Sequence, residues 1–182
     1  MPSLRYALVA YVKNDAGVFA ERLARELHPS TVHLSAHLTL LPPRTLPGSE
    51  ASALQLVEEI CGHSASFEVE LGHVATFLPT TPTVYVKVSH SASLMCDLHR
   101  RLNTGALAYQ EEWPYVPHLT IAKMENEALA LAAAETARQR WSSFHGSRLV
   151  QLEQLTFVRE DSPNHWIDLA PVHLGASLVS RR

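Results

Sequence analysis

A chain of 182 residues with 46% apolar side chains can bury one compact core, or two small lobes that share one. Its formal charge of -3, from 15 Lys and Arg against 18 Asp and Glu, excludes the broad basic surface that holds nucleic acid by neutralising phosphates, and leaves local contact with a short piece or an end. Cys61 and Cys96 lack Cys-x-x-Cys spacing and lie in apolar helical stretches, so they are expected to be buried reduced thiols of a soluble, cytoplasmic protein.

The first apolar run, residues 4–12, contains Arg5, is too short to cross a bilayer and reads as a buried strand. From Asn14 the period changes: Ala16, Phe19, Ala20, Leu23 and Leu27 fall at helical spacing, with Asn14 or Asp15 as N-cap and Pro29 beyond the end. Residues 32–40 then alternate cleanly. His33, Ser35, His37 and Thr39 take one strand face and Val32, Leu34, Ala36, Leu38 and Leu40 the other. Pro42 and Pro43 end the ladder, since neither has an N–H to donate.

"GSEASALQLVEEICGH" predicts a helix capped at Ser49, and "FEVELGHV" an alternating strand. "FLPTTPTVYVKV" predicts a loop and a strand, and "SASLMCDLHRRL" a helix capped at Ser91 or Ser93. A strand over "PYVPHLTIAKM", an Ala-rich helix over "ENEALALAAAETARQRW", a strand over "RLVQLEQLTFV" and a closing strand over 164–174 complete the chain.

The order strand, helix, His-Leu-Thr strand, helix, strand occurs twice, over about 5–73 and 83–158. The same interval of 29 residues separates His37 from Ser66 and His118 from Ser147, so "SAHLTLL" and "VPHLTIA" occupy one station of a duplicated module. The expected fold is α+β: a single domain of two pseudo-symmetric lobes, with two antiparallel sheets lining a central cleft and helices packed outside.

A His and a Thr two residues apart on a strand project from one face, roughly 7 Å apart along its axis. Two such units around one centre give two imidazoles and two hydroxyls, which suits a tetrahedral phosphate: Thr39 and Thr120 donate to its oxygens. With an ordinary pKa of about 6.5, His37 and His118 can be neutral in one copy and protonated in the other, one taking a proton from water while the other gives one to a leaving alkoxide. No His-Glu-x-x-His unit and no zinc-like Cys and His spacing is present, so no metal or cofactor is expected. The other histidines weighed, His99 among them, are assigned structural places.

On "HLTLLPP" (37–43), "VPHLTIAK" (116–123) and the duplicated order of elements, the sequence resembles the two-histidine (2H) phosphoesterase superfamily and, within it, the bacterial 2′-5′ RNA ligase-like cyclic phosphodiesterases. The resemblance implies metal-free opening of a 2′,3′-cyclic phosphate on an RNA end, oligonucleotide or nucleotide, or reversible formation of 2′-5′ linkages. It implies His118 as the group that activates water and His37 as the one that protonates the leaving 3′ oxygen. Many RNA-processing members carry an arginine after the second motif; this chain has Lys123, a point charge instead of a bidentate fork. Arg44, Tyr85, Trp113, Tyr115 and Lys123 are candidate substrate contacts, the aromatics by stacking a base. The protein is expected to act as a monomer, away from membranes. A module of the same fold that holds a nucleotide or RNA 2′-phosphate without turnover is the alternative.

Overall fold

The computed structural model describes residues 4–30 and 34–175; His33, expected on the face of His37, lies outside them. In chain order the elements are β1 (Arg5–Tyr11), α1 (Asp15–Leu27), β2 (His37–Arg44), α2 (Glu50–Gly62), β3 (Phe67–Thr76), β4 (Thr83–His90), α3 (Ala92–Leu102), β5 (His118–Lys123), α4 (Glu127–Ser142), β6 (Leu149–Leu152), β7 (Gln154–Ser162) and β8 (His165–His173). Short polar side chains start three of the helices: Asn14, Ser49 and Asn126 accept from the backbone N–H of Gly17, Ser52 and Leu129. Ser91 begins α3 in the left-handed region, at φ 59°, and supplies no such cap.

The strands form one antiparallel sheet in the order β6-β3-β4-β5-β2-β1-β7-β8, not the two separate sheets that the duplication suggests. The join is the pair Leu38 to Leu119, where β2 and β5 meet at a single registered position. Both leucines are fully buried, so the seam between the repeats is itself part of the core. The repeats are also interleaved. β3, from the first, pairs with β4 of the second, and β7, from the second, pairs with β1 of the first.

"RLVQLEQLTFV", which alternates without a turn signal, is split at Glu153 into β6, paired with β3, and β7, paired with β1. Because one residue separates strands from opposite ends of the pairing order, the sheet has to curl until those ends approach each other.

Buried residues of all four helices share one cluster with the leucines of the histidine strands and with Val86 of β4: Ala20 and Leu23 of α1, Val57 of α2, Met95 and Leu98 of α3, and Ala134 and Trp141 of α4 join Leu38, Leu40, Leu119 and Val86. Each fully buried leucine contributes roughly 1.5–3 kcal/mol of transfer free energy. A smaller cluster of Ala7, Val9 and Val158, flanked by Tyr11 and Trp166, lies apart from that core. The helices thus cover one face of the seam, and His37 and Thr39 of β2 and His118 and Thr120 of β5 are left for the other. Cys61 is buried as expected, with its thiol pKa pushed up to about 12, whereas Cys96 is exposed on α3 because it falls on the outer side of that helix. No helix among the described residues is long and apolar enough to cross a membrane.

Candidate active site at the seam of the two repeats

His37 and Thr39 alternate with buried Leu38 and Leu40, and His118 and Thr120 alternate with buried Leu119 and Ile121; all four polar residues are half-buried. Antiparallel pairing of Leu38 with Leu119 brings the flanking positions opposite one another, His37 to Thr120 and Thr39 to His118. Opposed side chains on one sheet face have Cβ atoms roughly 4.5–5.5 Å apart. The two His-Leu-Thr units therefore lie on neighbouring strands of one sheet.

Each imidazole is anchored in the same way by the chain just before it. Nδ1 of His37 lies 2.7 Å from the Ser35 carbonyl, and Nδ1 of His118 lies 2.6 Å from the Val116 carbonyl. A carbonyl oxygen can only accept, so Nδ1 carries the hydrogen in both, and Nε2 is left to take or give a proton. Burial pushes both pKa values below the ordinary value, more strongly than the carbonyl contacts raise them. Lys123 acts downward on both histidines, and His37 on His118, which places the two rings and the lysine within electrostatic reach of one another.

The position of Lys123 depends on a bulge. Between Tyr85 and Val84 the ladder of β4 with β5 slips by one residue, so Ile121 and Ala122 both enter the core and Lys123, opposite Thr83, returns to the side of His118 and Thr120. In β2 a matching slip puts Leu40 and Leu41 in the core, but the residue at the station of Lys123 is Pro42. The cation therefore belongs to one repeat only.

Tyr85 and Phe77 stack with centroids 4.0 Å apart, and each meets the His118 ring at a steep angle, 64° and 87°. Tyr85 is buried beneath that stack, which makes it a wall that orients His118, while Phe77 is half-buried at the rim. Lys87, exposed and directly opposite His118, and Tyr11, opposite His37 with its hydroxyl donating to Asp168 at 2.6 Å, were missed in the sequence. Lys87 was legible there, since alternation in "TVYVKV" puts it on the face of Tyr85.

Two candidate contacts stand elsewhere. Arg44 is 2% exposed: its guanidinium bonds the carbonyls of Pro42 and Leu107, Asn103 Oδ1 and the Glu111 carboxylate, so it is a structural cation behind β2. The position after two prolines suggested a surface loop, but β2 runs on through them to Arg44 and pairs it with Tyr6 in the core. Tyr115 also turns inward, stacking on His99 and donating to the Thr39 carbonyl. Trp113 is 56% exposed in the loop before β5 and makes no aromatic stack or hydrogen bond among the described residues. There, too, no three His, Cys, Asp or Glu side chains group as metal ligands.

The lowered histidine pKa values have a consequence for stability. Folded values lie below the unfolded value of about 6.5, so the contribution of these groups is intact above that pH and is lost as pH falls through the folded values, where the unfolded chain binds protons that the folded one refuses. A His37→Asn/His118→Asn double variant is expected to lose less Tm than the wild type between about pH 7 and pH 5. Equal slopes in a thermal melt series would show that these two burials do not govern acid sensitivity.

Among known proteins, "Putative phosphoesterase Bcer98_0945" of Bacillus cytotoxicus is 26% identical over 157 residues, 86% of this chain and 88% of its own length. "Putative phosphoesterase OB1230" of Oceanobacillus iheyensis is 29% identical over 123 residues, 66% of this chain and 71% of its own. In fold, the chain is similar to TT0787 of Thermus thermophilus (TM-score 0.65, 17% identity, 94% of this chain and 98% of that one). It is similar also to E. coli LigT complexed with 3′-AMP (TM-score 0.59, 14% identity, 94% and 97%). The model of the 2′-5′ RNA ligase superfamily matches residues 12–164. That match runs from the end of β1 to the turn before β8 and takes in both histidine strands, so the chain belongs to the 2′-5′ RNA ligase superfamily of two-histidine phosphoesterases.

Proposed function

We propose that the protein is a metal-independent phosphodiesterase that opens 2′,3′-cyclic phosphates on RNA ends, oligonucleotides or nucleotides by paired-histidine acid and base catalysis. The observation that supports this is the antiparallel register of Leu38 with Leu119, which sets His37 and Thr39 beside His118 and Thr120 on adjacent strands, with each Nδ1 held by a carbonyl and neither Nε2 hydrogen-bonded among the described residues. A phosphate at that point is in reach of two proton-transfer groups and two hydroxyl donors.

His118, neutral, takes a proton from water at Nε2 as the water oxygen bonds to phosphorus. The bond from phosphorus to the 3′ oxygen breaks, and His37, protonated, gives the proton from its Nε2 to that oxygen. The product is a 2′-phosphate beside a free 3′ hydroxyl, and solvent exchange restores the histidines. Thr39 and Thr120 donate to the non-bridging oxygens, while Lys123 and Lys87 offset the negative charge. Phe77, at the rim beside His118, supplies a surface on which a base can stack. Structures of E. coli LigT complexed with 3′-AMP, phosphate, ATP and NADP+ fit this reading through their shared phosphate and nucleotide chemistry.

The test is ³¹P NMR of 2′,3′-cyclic mononucleotides and cyclic-ended oligonucleotides incubated with the protein in excess EDTA. A new 2′-phosphomonoester signal is expected; binding with no product would favour a nucleotide-holding module instead. Thr39→Val and Thr120→Val, near-isosteric changes that each delete one hydroxyl donor to a charged group, are expected to lower kcat/KM by roughly 10- to 100-fold. Wild-type values in both would remove the hydroxyls from the mechanism.

A further inference from the structure

β2 and β5 carry the two histidine units but are registered at one position only, so few ladder bonds fix one strand against the other. The segment before β5 adds a bond that the ladder lacks. Tyr115, three residues ahead of His118, donates its hydroxyl to the Thr39 carbonyl at 2.7 Å, and Thr39 lies opposite His118. Burial raises the phenol pKa, which keeps it a donor across the working range of a histidine site.

The ring of Tyr115 is itself held. It stacks on the His99 imidazole with centroids 3.9 Å apart and planes 7° from parallel. His99, buried in α3, bonds through Nδ1 to the Leu40 carbonyl at 2.7 Å and lies with Nε2 3.1 Å from a Glu111 carboxylate oxygen. The other oxygen of Glu111 meets the buried guanidinium of Arg44, which also bonds the Pro42 carbonyl. Carbonyls of Thr39, Leu40 and Pro42 on the first histidine strand are thus gripped by three side chains, Tyr115, His99 and Arg44, and Glu111 ties the last two together. None of these side chains carries a proton in the proposed reaction.

We propose that Tyr115, seated by His99 and Glu111, is a positioning residue that sets Thr39 and His37 against His118. It deepens the phosphodiesterase reading and rests on it for its effect on rate. A rigid bond at Thr39 matters because a short offset of one strand moves one hydroxyl and one imidazole together relative to their partners in the other repeat. Tyr115→Phe removes the hydroxyl and keeps the stack on His99.

In this variant kcat on a 2′,3′-cyclic mononucleotide is expected to fall about two- to tenfold, the range of one net hydrogen bond, with KM within twofold and Tm within a few degrees of wild type. In the same variant the ring C–H signals of His37 and His118, assigned by single His→Asn changes, are expected to shift in ¹H-¹³C NMR while those of exposed histidines stay in place. Histidine signals that do not move overturn the proposal whatever happens to the rate; signals that move support it. A wild-type protein with no turnover would instead overturn the phosphodiesterase reading, and the NMR comparison would still decide the role of Tyr115.

Discussion

His37→Ala and His118→Ala are each expected to lose about 10²- to 10⁴-fold in kcat on a 2′,3′-cyclic nucleotide, with the fold intact. The size follows from what is removed. In the proposed reaction each imidazole moves one proton in the transition state, and truncation leaves the other histidine, both threonines and Lys123 to bind the phosphate as before, so KM should change far less than kcat. The double variant is expected to be little worse than either single one, because the two transfers belong to one displacement and losing one partner already removes the concerted path.

The pH profile gives an independent view of the same pair. In the free protein both imidazoles are held below their ordinary value, so the optimum of kcat/KM is expected on the acid side of about 6.5. A bound phosphate anion favours the imidazolium form and should move the kcat optimum upward. A rate that rises steadily through that region, or a His37→Ala variant with undiminished kcat, would dismiss the two-histidine mechanism.

Arg44→Ala is expected to destabilise the protein by about 3–5 kcal/mol, the range for removing one member of a buried ion pair. For a chain of this size that corresponds to a fall in Tm of roughly 6–20 °C. The Arg44 side chain is 1% exposed, and four acceptors converge on it: the Pro42 and Leu107 carbonyls, Asn103 and Glu111. Alanine leaves the Glu111 carboxylate with His99 in place of two partners, an unfilled volume and two carbonyls that lose this donor. Arg44→Lys keeps the charge but not the fork, and should recover only part of the loss. Pairing Arg44→Ala with Glu111→Ala should give less than the sum of the two changes in urea denaturation, since the second removes the charge that the first strands. Simple additivity would mean that the pair contributes nothing as a pair.

The site and the scaffold behind it differ in how far each was legible. His37, Thr39, His118 and Thr120 stood out because strand alternation has a period of two, so a polar residue at every second place between buried leucines announces a face. The helix caps at Asn14 and Ser49 were local for the same reason: each depends on residues within one turn of itself. Glu111, His99 and Tyr115 gave no such signal. From a loop and a helix they reach a strand more than fifty positions earlier, His99 and Tyr115 at its carbonyls and Glu111 at Arg44, and nothing in the spacing of a charged residue tells a solvated side chain from a buried one.

By itself the sequence determined the α+β class and the alternation of the two histidine strands, both products of periodicity along a single element. Only the tertiary structure decided that the repeats share one curled sheet, exchanging β3 and β7 so that β2 and β5 lie side by side. It decided also that a bulge turns Lys123 toward the histidines and that Arg44 goes into the core. Register, bulges and the choice of strand partner are set by which apolar surfaces can be buried together, a property of the whole packed chain that no short stretch of it encodes.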